Sequence, residues 1–150
     1  MTMRHGLEIR AATPAEAPGL AILLAEAGLV LDPRDVAERL AMLRQGAGAA
    51  LVALQWGPPS GVLLMHWYST LEAPQPMAQI TLLLVGQETR RVGIGRLLIK
   101  AAAQTARMAG CGQMEIMTPA DAPSLHGFCQ ATGFAEAGAR FVRSLRKQTG

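Results

Sequence analysis

Three consecutive apolar runs, separated by turn-forming residues, constrain the fold of this chain more than any other feature. The runs cover residues 50–56, 61–68 and 77–85, and the connecting segments 57–60 and 72–76 each contain two prolines. Short apolar runs bounded by glycine and proline are typical of β-strands. Because the connections are short, the sequence predicts three strands of an antiparallel meander.

Helical signals flank this meander. Before it, Thr13-Pro14-Ala15-Glu16 has the form of a capping box with proline at the first helical position, and Asp32-Pro33 marks the start of a second helix. After it, apolar residues recur at helical spacing from Ile94 to Met108. The inward side of that third helix is predicted to comprise Ile94, Leu97, Leu98, Ala101, Thr105 and Met108.

Shorter elements complete the predicted order. Strands are predicted over residues 7–11, 113–118 and 139–145, and a short helix over 124–131 that Gly133 closes. The resulting order β α α β β β α β α β is typical of an α/β (α+β) fold. Half of the 150 residues are hydrophobic, which is enough for one sizeable core, so we predict a single domain over residues 1–150.

The composition disfavours several classes of protein. No stretch reaches the roughly 18 apolar residues of a membrane helix, and residues 1–10 lack the apolar block of a signal peptide. We therefore expect a cytoplasmic protein without a membrane partner. Cys111 and Cys129 have the spacing of neither a zinc site nor a disulfide framework, so no metal is expected.

The net charge of +3 is unevenly distributed along the chain. Five basic residues fall in one short stretch, namely Arg90, Arg91, Arg96, Lys100 and Arg107. Such a cluster favours a polyanionic ligand. Nucleic acid is disfavoured as that ligand, because aromatic residues make up only 4% of the chain and no zinc-finger or RNA-recognition pattern occurs. A small phosphorylated ligand fits better, and a solvated helix face is the alternative.

The same stretch places two glycines between a predicted strand and a predicted helix, in Arg90-Arg91-Val92-Gly93-Ile94-Gly95-Arg96. The first turn of a helix has backbone N–H groups without intrahelical partners, and glycine lets a phosphate approach them closely. A P-loop is disfavoured because Arg96-Leu97 follows the second glycine, and a dinucleotide fingerprint is disfavoured because Leu98 replaces its third glycine. A phosphate site and an ordinary strand-to-helix turn are both compatible with these residues.

Two motifs resemble those of the GNAT superfamily of N-acetyltransferases. Arg90-Arg91-Val92-Gly93-Ile94-Gly95 fits the family hallmark, which is Arg or Gln, two residues, Gly, one residue, then Gly or Ala. Phe128-Cys129-Gln130-Ala131-Thr132-Gly133-Phe134 is similar to the family's Phe-Tyr-x-x-x-Gly-Phe. The resemblance covers nearly the whole chain. It implies a mixed, mostly antiparallel sheet flanked by helices, in the element order predicted above.

The resemblance also implies acetyl-CoA as co-substrate. The backbone of residues 83–85 would pair with the pantetheine arm where two strands splay apart, and the backbone amides of residues 91–96 would hold the pyrophosphate. The implied cofactor-binding residues are Leu83, Leu84, Val85, Arg90, Arg91, Val92, Gly93, Ile94, Gly95 and Arg96. The alternative for residues 83–85 is an ordinary buried strand, and the two interpretations are compatible because the implied contacts are made by the main chain.

Two positions depart from the family's catalytic pattern. Cys129 stands where a tyrosine customarily protonates the leaving thiolate, and Gln79 stands where many relatives have a carboxylate. A thiol can donate a proton, so Cys129 is the candidate acid, although a cysteine in a short helix is more often a packing residue. The candidate bases are Glu72, His66, Asp121 and His126. The alternative is that Glu72 is only a charged loop residue and His66 a half-exposed strand residue. Likewise, Asp121 could serve only as an N-cap and His126 as a residue on the helix face.

Two functions follow from these observations. The first is transfer of an acetyl group from acetyl-CoA to a primary amine of a small molecule or polypeptide, by direct attack in a ternary complex. The second is a non-catalytic acyl-CoA-binding module that has lost its proton-transfer residues, as the substitutions at Gln79 and Cys129 suggest. The first is favoured because direct attack depends mainly on positioning. A homodimer is also expected, because small members of the family often pair and residues 141–145 are strand-like.

Overall fold

The strands lie in the sheet in the same order as in the chain. The computed structural model describes residues 6–87, 93–119 and 121–146. Its strands are β1 (Glu8–Ala11), β2 (Gly48–Leu54), β3 (Gly61–Tyr68), β4 (Met77–Val85) and β5 (Gln113–Ile116), and they form one sheet in the order β1-β2-β3-β4-β5. The predicted meander is confirmed, and β3 and β4 have the predicted bounds.

The last strand pair differs in direction from the others. The first four strands pair antiparallel, whereas β5 pairs parallel to β4. A parallel neighbour requires a crossover that returns the chain to the other end of the sheet. The helix α3 (Ile94–Met108) lies in this crossover, with the bounds that its apolar spacing predicts.

The two helices before the meander begin where the sequence predicts. A 3-10 turn over Pro14–Glu16 leads into α1 (Ala17–Glu26), and α2 (Pro33–Gln45) begins after Asp32, whose carboxylate accepts a hydrogen bond from the amide of Arg34 at 2.8 Å. This contact is the N-cap that aspartate is expected to provide. The fourth helix is α4 (Pro123–Ala131).

The sheet separates two apolar clusters. On one face, Leu63, Met65 and Ile80 pack with the inward side of α3. On the other, Val52 and Val62 pack with α1 and α2. The protein therefore has three layers, with α1 and α2 on one side of the sheet and α3 on the other. No helix in the described part of the chain is long and apolar enough to span a bilayer.

Two predictions about apolar residues are wrong. The strand predicted over residues 139–145 is absent, and Phe141 in this segment is 94% exposed. A short segment with apolar residues does not by itself make a strand, because a strand also needs a neighbouring backbone to bond. Met108 is 83% exposed, and the buried side of α3 instead comprises Ile94, Leu98, Ile99, Ala102 and Ala106.

Candidate active site

Strands β4 and β5 separate halfway along β4. Their pairing runs from Met77 opposite Gln113 to Ile80 opposite Ile116 and ends there. Just beyond this point β4 contains a bulge, because Leu64 and Met65 of β3 face Leu82 and Ile80, which leaves Thr81 as an extra residue. A bulge bends its strand and ends regular pairing.

The carboxyl-terminal half of β4 has one unpaired edge, because β5 ends at Ile116. Residues Leu82 to Val85 pair with β3 but have no strand partner on the β5 side in the described part of the chain. Their side chains are only half-buried, with Leu83 and Val85 against the α3 cluster and Leu84 against the opposite cluster. Backbone N–H and C=O groups on this edge are available to bond an extended ligand. The pairing of β4 with β5 thus ends at Ile80 and Ile116, and the role in pantetheine binding that the resemblance implies for residues 83–85 stays a prediction.

The amino-terminal end of α3 lies just after this edge. Gly93 is the N-cap, with φ of 84°, and a Cβ built on it would meet nothing within 4 Å. The left-handed conformation, rather than lack of space, therefore accounts for glycine at this position. The amides of the first helical turn, at residues 94–96, lack intrahelical acceptors, and the helix dipole adds positive potential there. This end of α3 can bind an anion.

Gly95 has a different role from Gly93. A Cβ at position 95 would lie 3.2 Å from the ring of Phe128 and 3.7 Å from Val85. Gly61 provides a similar close contact, since its Cβ would lie 2.9 Å from the Ile94 side chain. Small residues at both positions let the first turn of α3 pack directly on the sheet and on α4.

The basic residues of the motif are partly outside the described residues. Arg90, Arg91 and Val92 fall there, so their implied role stays a prediction. Arg96 is exposed on α3, and its guanidinium donates a long hydrogen bond of 3.4 Å to the carbonyl of Ala131 at the end of α4.

A polar cluster that the sequence did not reveal lies beside the point where β4 and β5 separate. The Tyr68 hydroxyl donates to Glu115 Oε1 at 2.8 Å, and the Gln79 side-chain amide donates to the same oxygen at 3.1 Å. The His66 ring lies 5.7 Å from the Tyr68 ring. The hydrogen bond to Glu115, supported by burial and by the carboxylate charge, raises the pKa of Tyr68. We call these four residues the Glu115 cluster.

The Glu115 cluster occupies one face of three neighbouring strands. His66 pairs with Gln79 and Gln79 with Glu115, so the three side chains project from the same face. Val62 and Leu64, on the same face of β3, pack in the cluster formed with α1 and α2. Along this face of the sheet, the polar Glu115 cluster thus follows the apolar residues that pack against α1 and α2. Trp67, next to Tyr68, packs on the opposite face with the α3 cluster.

His66, the fifth candidate, lies on β3 in the Glu115 cluster, and the other four candidate catalytic residues lie on two separate segments. Glu72 is exposed in the loop between β3 and β4, whereas Asp121, His126 and Cys129 lie in or just before α4. Asp121 does not cap α4, whose N-cap is Ala122 without a side-chain hydrogen bond. His126 Nε2 lies 2.8 Å from the carbonyl of Pro119. No hydrogen bond or ion pair joins these four side chains to one another within the described ranges.

The Cys129 side chain faces the interior. Cys129 is 8% exposed, and burial raises the pKa of its thiol. The thiol therefore stays protonated at neutral pH and packs as a small apolar group. Three or more metal-ligating side chains do not come together anywhere in residues 6–87, 93–119 and 121–146.

A cleft of about 280 Å³ borders the end of β4. It lies between the carboxyl-terminal end of α1 and the loop connecting β2 to β3, and its walls include Glu26, Trp56 and Gly86. Trp56 is mostly exposed there.

A mixed sheet whose parallel pair separates beside a helix N-terminus is the architecture of an acetyltransferase-type α/β fold. The model of the Acetyltransferase (GNAT) family matches residues 23–134, so the chain belongs to this family. No curated protein sequence matches the chain.

Solved structures agree with this assignment. A protein from Agrobacterium tumefaciens assigned as an acetyltransferase is 27% identical, with a TM-score of 0.81 over 91% of this chain and 99% of its own. The protein AAC(6')-Iy, in complex with the bisubstrate analogue CoA-S-monomethyl-acetylneamine, is 18% identical with a TM-score of 0.81, covering 94% and 99% of the two chains. An aminoglycoside acetyltransferase from a soil metagenome, in complex with sisomicin, is 23% identical with a TM-score of 0.77 over 93% and 97%.

Proposed function

We propose that this protein transfers the acetyl group of acetyl-CoA to a primary amine by direct attack in a ternary complex. The acceptor amine belongs to a small molecule or to a polypeptide. The observation that carries the proposal is the separation of β4 from β5 beyond Ile80 and Ile116, next to the N-terminus of α3. An extended thiol-ended arm can bond the free edge of β4 while its pyrophosphate is bound by the helix amides.

The reaction needs positioning more than it needs reactive side chains. The amine nitrogen attacks the thioester carbonyl carbon, a C–N bond forms and the C–S bond breaks. The nitrogen loses one proton and the departing thiolate gains one, so the step is balanced without a redox partner. Holding the two reactants together converts a bimolecular step into an effectively unimolecular one. The similar protein AAC(6')-Iy binds an analogue of two joined substrates, which supports a ternary complex for this fold.

The alternative is a non-catalytic acyl-CoA-binding module. It is favoured by the burial of Cys129 and by the separation of Glu72 from the candidates on α4. The Glu115 cluster favours the enzyme, because it places a carboxylate beside the strand separation. Both functions require acetyl-CoA binding, and only the enzyme releases CoA when an amine is added.

Calorimetric binding of CoA tests the shared part of both functions. We expect Gly93→Asp to reduce CoA affinity by roughly a hundredfold or more, because the new carboxylate would face the pyrophosphate. Gly110→Asp is the matched control, since Gly110 has φ of 88° and open space at the opposite end of α3. Equal CoA affinity in folded Gly93→Asp and wild-type protein would show that the helix N-terminus does not bind the pyrophosphate.

We also infer that two copies pair through the outer edge of β5. That edge has no partner strand among the described residues, and Phe141, Val142 and Leu145 lie exposed in the segment after α4. An unpaired strand edge favours association with a second strand, and exposed apolar residues favour burial against a partner. In sedimentation experiments, Phe141→Asp should shift the protein toward monomer, whereas Val30→Asp in the exposed loop after α1 should not. A wild-type monomer at high micromolar concentration would contradict the dimer.

A further inference from the structure

We propose that Glu115 is the acceptor-binding residue of this acetyltransferase, and that the acceptor is a cationic amine whose ammonium group bonds Glu115 Oε2. This inference rests on the proposed function, because it assigns a substrate class to the same site. Tyr68 and Gln79 are positioning residues that hold the carboxylate.

The hydrogen bonds within the cluster leave one carboxylate oxygen available. Both donors, the Tyr68 hydroxyl and the Gln79 amide, bond Oε1, at 2.8 and 3.1 Å. Oε2 has no protein partner within the described residues, and Glu115 is only half-buried. The carboxylate is therefore fixed by two neutral donors while its charge is not neutralised by any contacting cation. An ammonium group from outside can supply that charge.

Glu115 lies close to the unpaired edge of β4 that is proposed to bind acetyl-CoA. Gln79 and Glu115 form the register pair directly before Ile80 and Ile116, where β4 and β5 separate. At about 3.3 Å per strand residue, Gln79 lies roughly 10 Å along β4 from Leu82, the first residue of the unpaired edge. An acceptor held by Glu115 as an ammonium group thus approaches the end of a ligand lying on that edge. Its nitrogen attacks the thioester only after the ammonium group has released one proton to solvent.

The surroundings of Glu115 favour a cation over a neutral or anionic acceptor. The four members of the cluster carry one carboxylate and one imidazole, and no Lys or Arg contacts Glu115 in the described part of the chain. The Tyr68 ring is 38% exposed at the rim of the cluster and offers a face to an ammonium group. A cationic acceptor is the partner that this carboxylate and aromatic ring together recognise.

Tyr68 is also a built-in reporter, because it is the single tyrosine among the 150 residues. Its ring signals in a tyrosine-labelled NMR sample need no assignment. We expect 1,4-diaminobutane, without acetyl-CoA, to shift these signals in a saturable and salt-sensitive manner, whereas the neutral 1,4-butanediol should not shift them. Glu115→Gln should remove the response. Glu8→Gln, the same substitution on β1 at the opposite edge of the sheet, should keep it.

Steady-state kinetics give the second measurement. In the Glu115→Gln enzyme the KM for a cationic amine should rise by roughly tenfold to a hundredfold, the loss expected for a hydrogen bond to a charged group, while the KM for acetyl-CoA stays unchanged. Glu8→Gln should change neither constant. An unchanged amine KM together with diamine-insensitive Tyr68 signals would overturn the inference.

The two readouts separate this inference from the proposed function. If the diamine shifts the Tyr68 signals in a Glu115-dependent manner but no amine is acetylated, the cation site stands and the catalytic function fails. If CoA is released with amines but neither readout depends on Glu115, the catalytic function stands and the assignment of Glu115 fails.

Discussion

Substitution of Gly61 by alanine tests how the sheet positions the first turn of α3. A Cβ at position 61 would lie 2.9 Å from Ile94 Cγ2, 3.1 Å from Leu98 Cδ1 and 3.3 Å from the carbonyl oxygen of Leu84. Ile94 and Leu98 are 2% and 0% exposed, so neither side chain can turn into solvent. The clash requires the Ile94 and Leu98 methyl groups to shift, and because both side chains are confined, the first turn of α3 is expected to move away from β3.

Such overpacking costs about 1 to 3 kcal/mol of unfolding free energy. With a urea m-value of about 2 kcal/mol/M, the midpoint of urea denaturation should fall by roughly 0.5 to 1.5 M. Because Ile94 is the first residue of α3, the same movement should displace the helix amides and weaken CoA binding measured by calorimetry. Stability and affinity are therefore expected to fall together.

Gly127→Ala is the matched control for this substitution. Gly127 lies within α4, and a Cβ there would meet nothing within 4 Å. Alanine should raise stability there by about 0.5 to 1 kcal/mol, because glycine is a poorer helix former. If Gly61→Ala matched or exceeded wild type in its denaturation midpoint, the close contact between β3 and α3 would not have the importance assigned to it.

Two further predictions concern buried groups. Glu16 is 7% exposed; burial raises its pKa, but the Thr13 hydrogen bond and the Arg10 contact outweigh burial, so the pKa is lowered overall. Its stabilising effect is thus present above the unfolded-state pKa and is lost as pH falls through the folded-state pKa. Urea denaturation at pH 7 should show Glu16→Gln to be less stable than wild type by about 1 to 3 kcal/mol. At pH 3 the difference in stability should be smaller. A difference that does not change with pH would contradict the stabilising role of the ionised Glu16 carboxylate. In a CoA release assay, Cys129→Ala should keep turnover within about threefold of wild type, which corresponds to little more than half a kcal/mol of activation barrier. Cys129→Tyr should lower the midpoint of urea denaturation, because the larger side chain overpacks the site. A severe turnover loss in folded Cys129→Ala would instead support the thiol as the acid.

The sequence predicted those elements whose ends are marked by local chemistry. Glycine and proline bound β3 and β4, and Asp32 caps α2, so these elements begin and end close to the predicted residues. The amino-terminal end of α3 was predictable for the same reason, because Gly93 and the change of period after it are local signals.

Features that depend on distant pairing could not be predicted in the same way. Glu115 contacts Tyr68, 47 positions away in the chain, through a parallel register that no local pattern specifies. The prediction of a strand over residues 139–145 was wrong for a related reason, since apolar residues indicate that a segment can pair but not whether a partner backbone is present. The helical spacing predicted for the apolar residues of α3 is confirmed, but the buried side of the helix is rotated toward Ile99, Ala102 and Ala106. Which side of a helix is buried depends on the layers that pack against it.

The most direct test of the central claim is a CoA release assay across primary amines, with the products weighed by mass spectrometry. With saturating acetyl-CoA, the wild-type protein should release CoA in proportion to acetylated amine, and a hydroxyl analogue of the same acceptor should not replace the amine. Gly93→Asp should abolish the signal, and Gly110→Asp should retain it. Tight CoA binding without acetylation of any cationic or neutral amine would contradict the acetyltransferase function and leave an acyl-CoA-binding module.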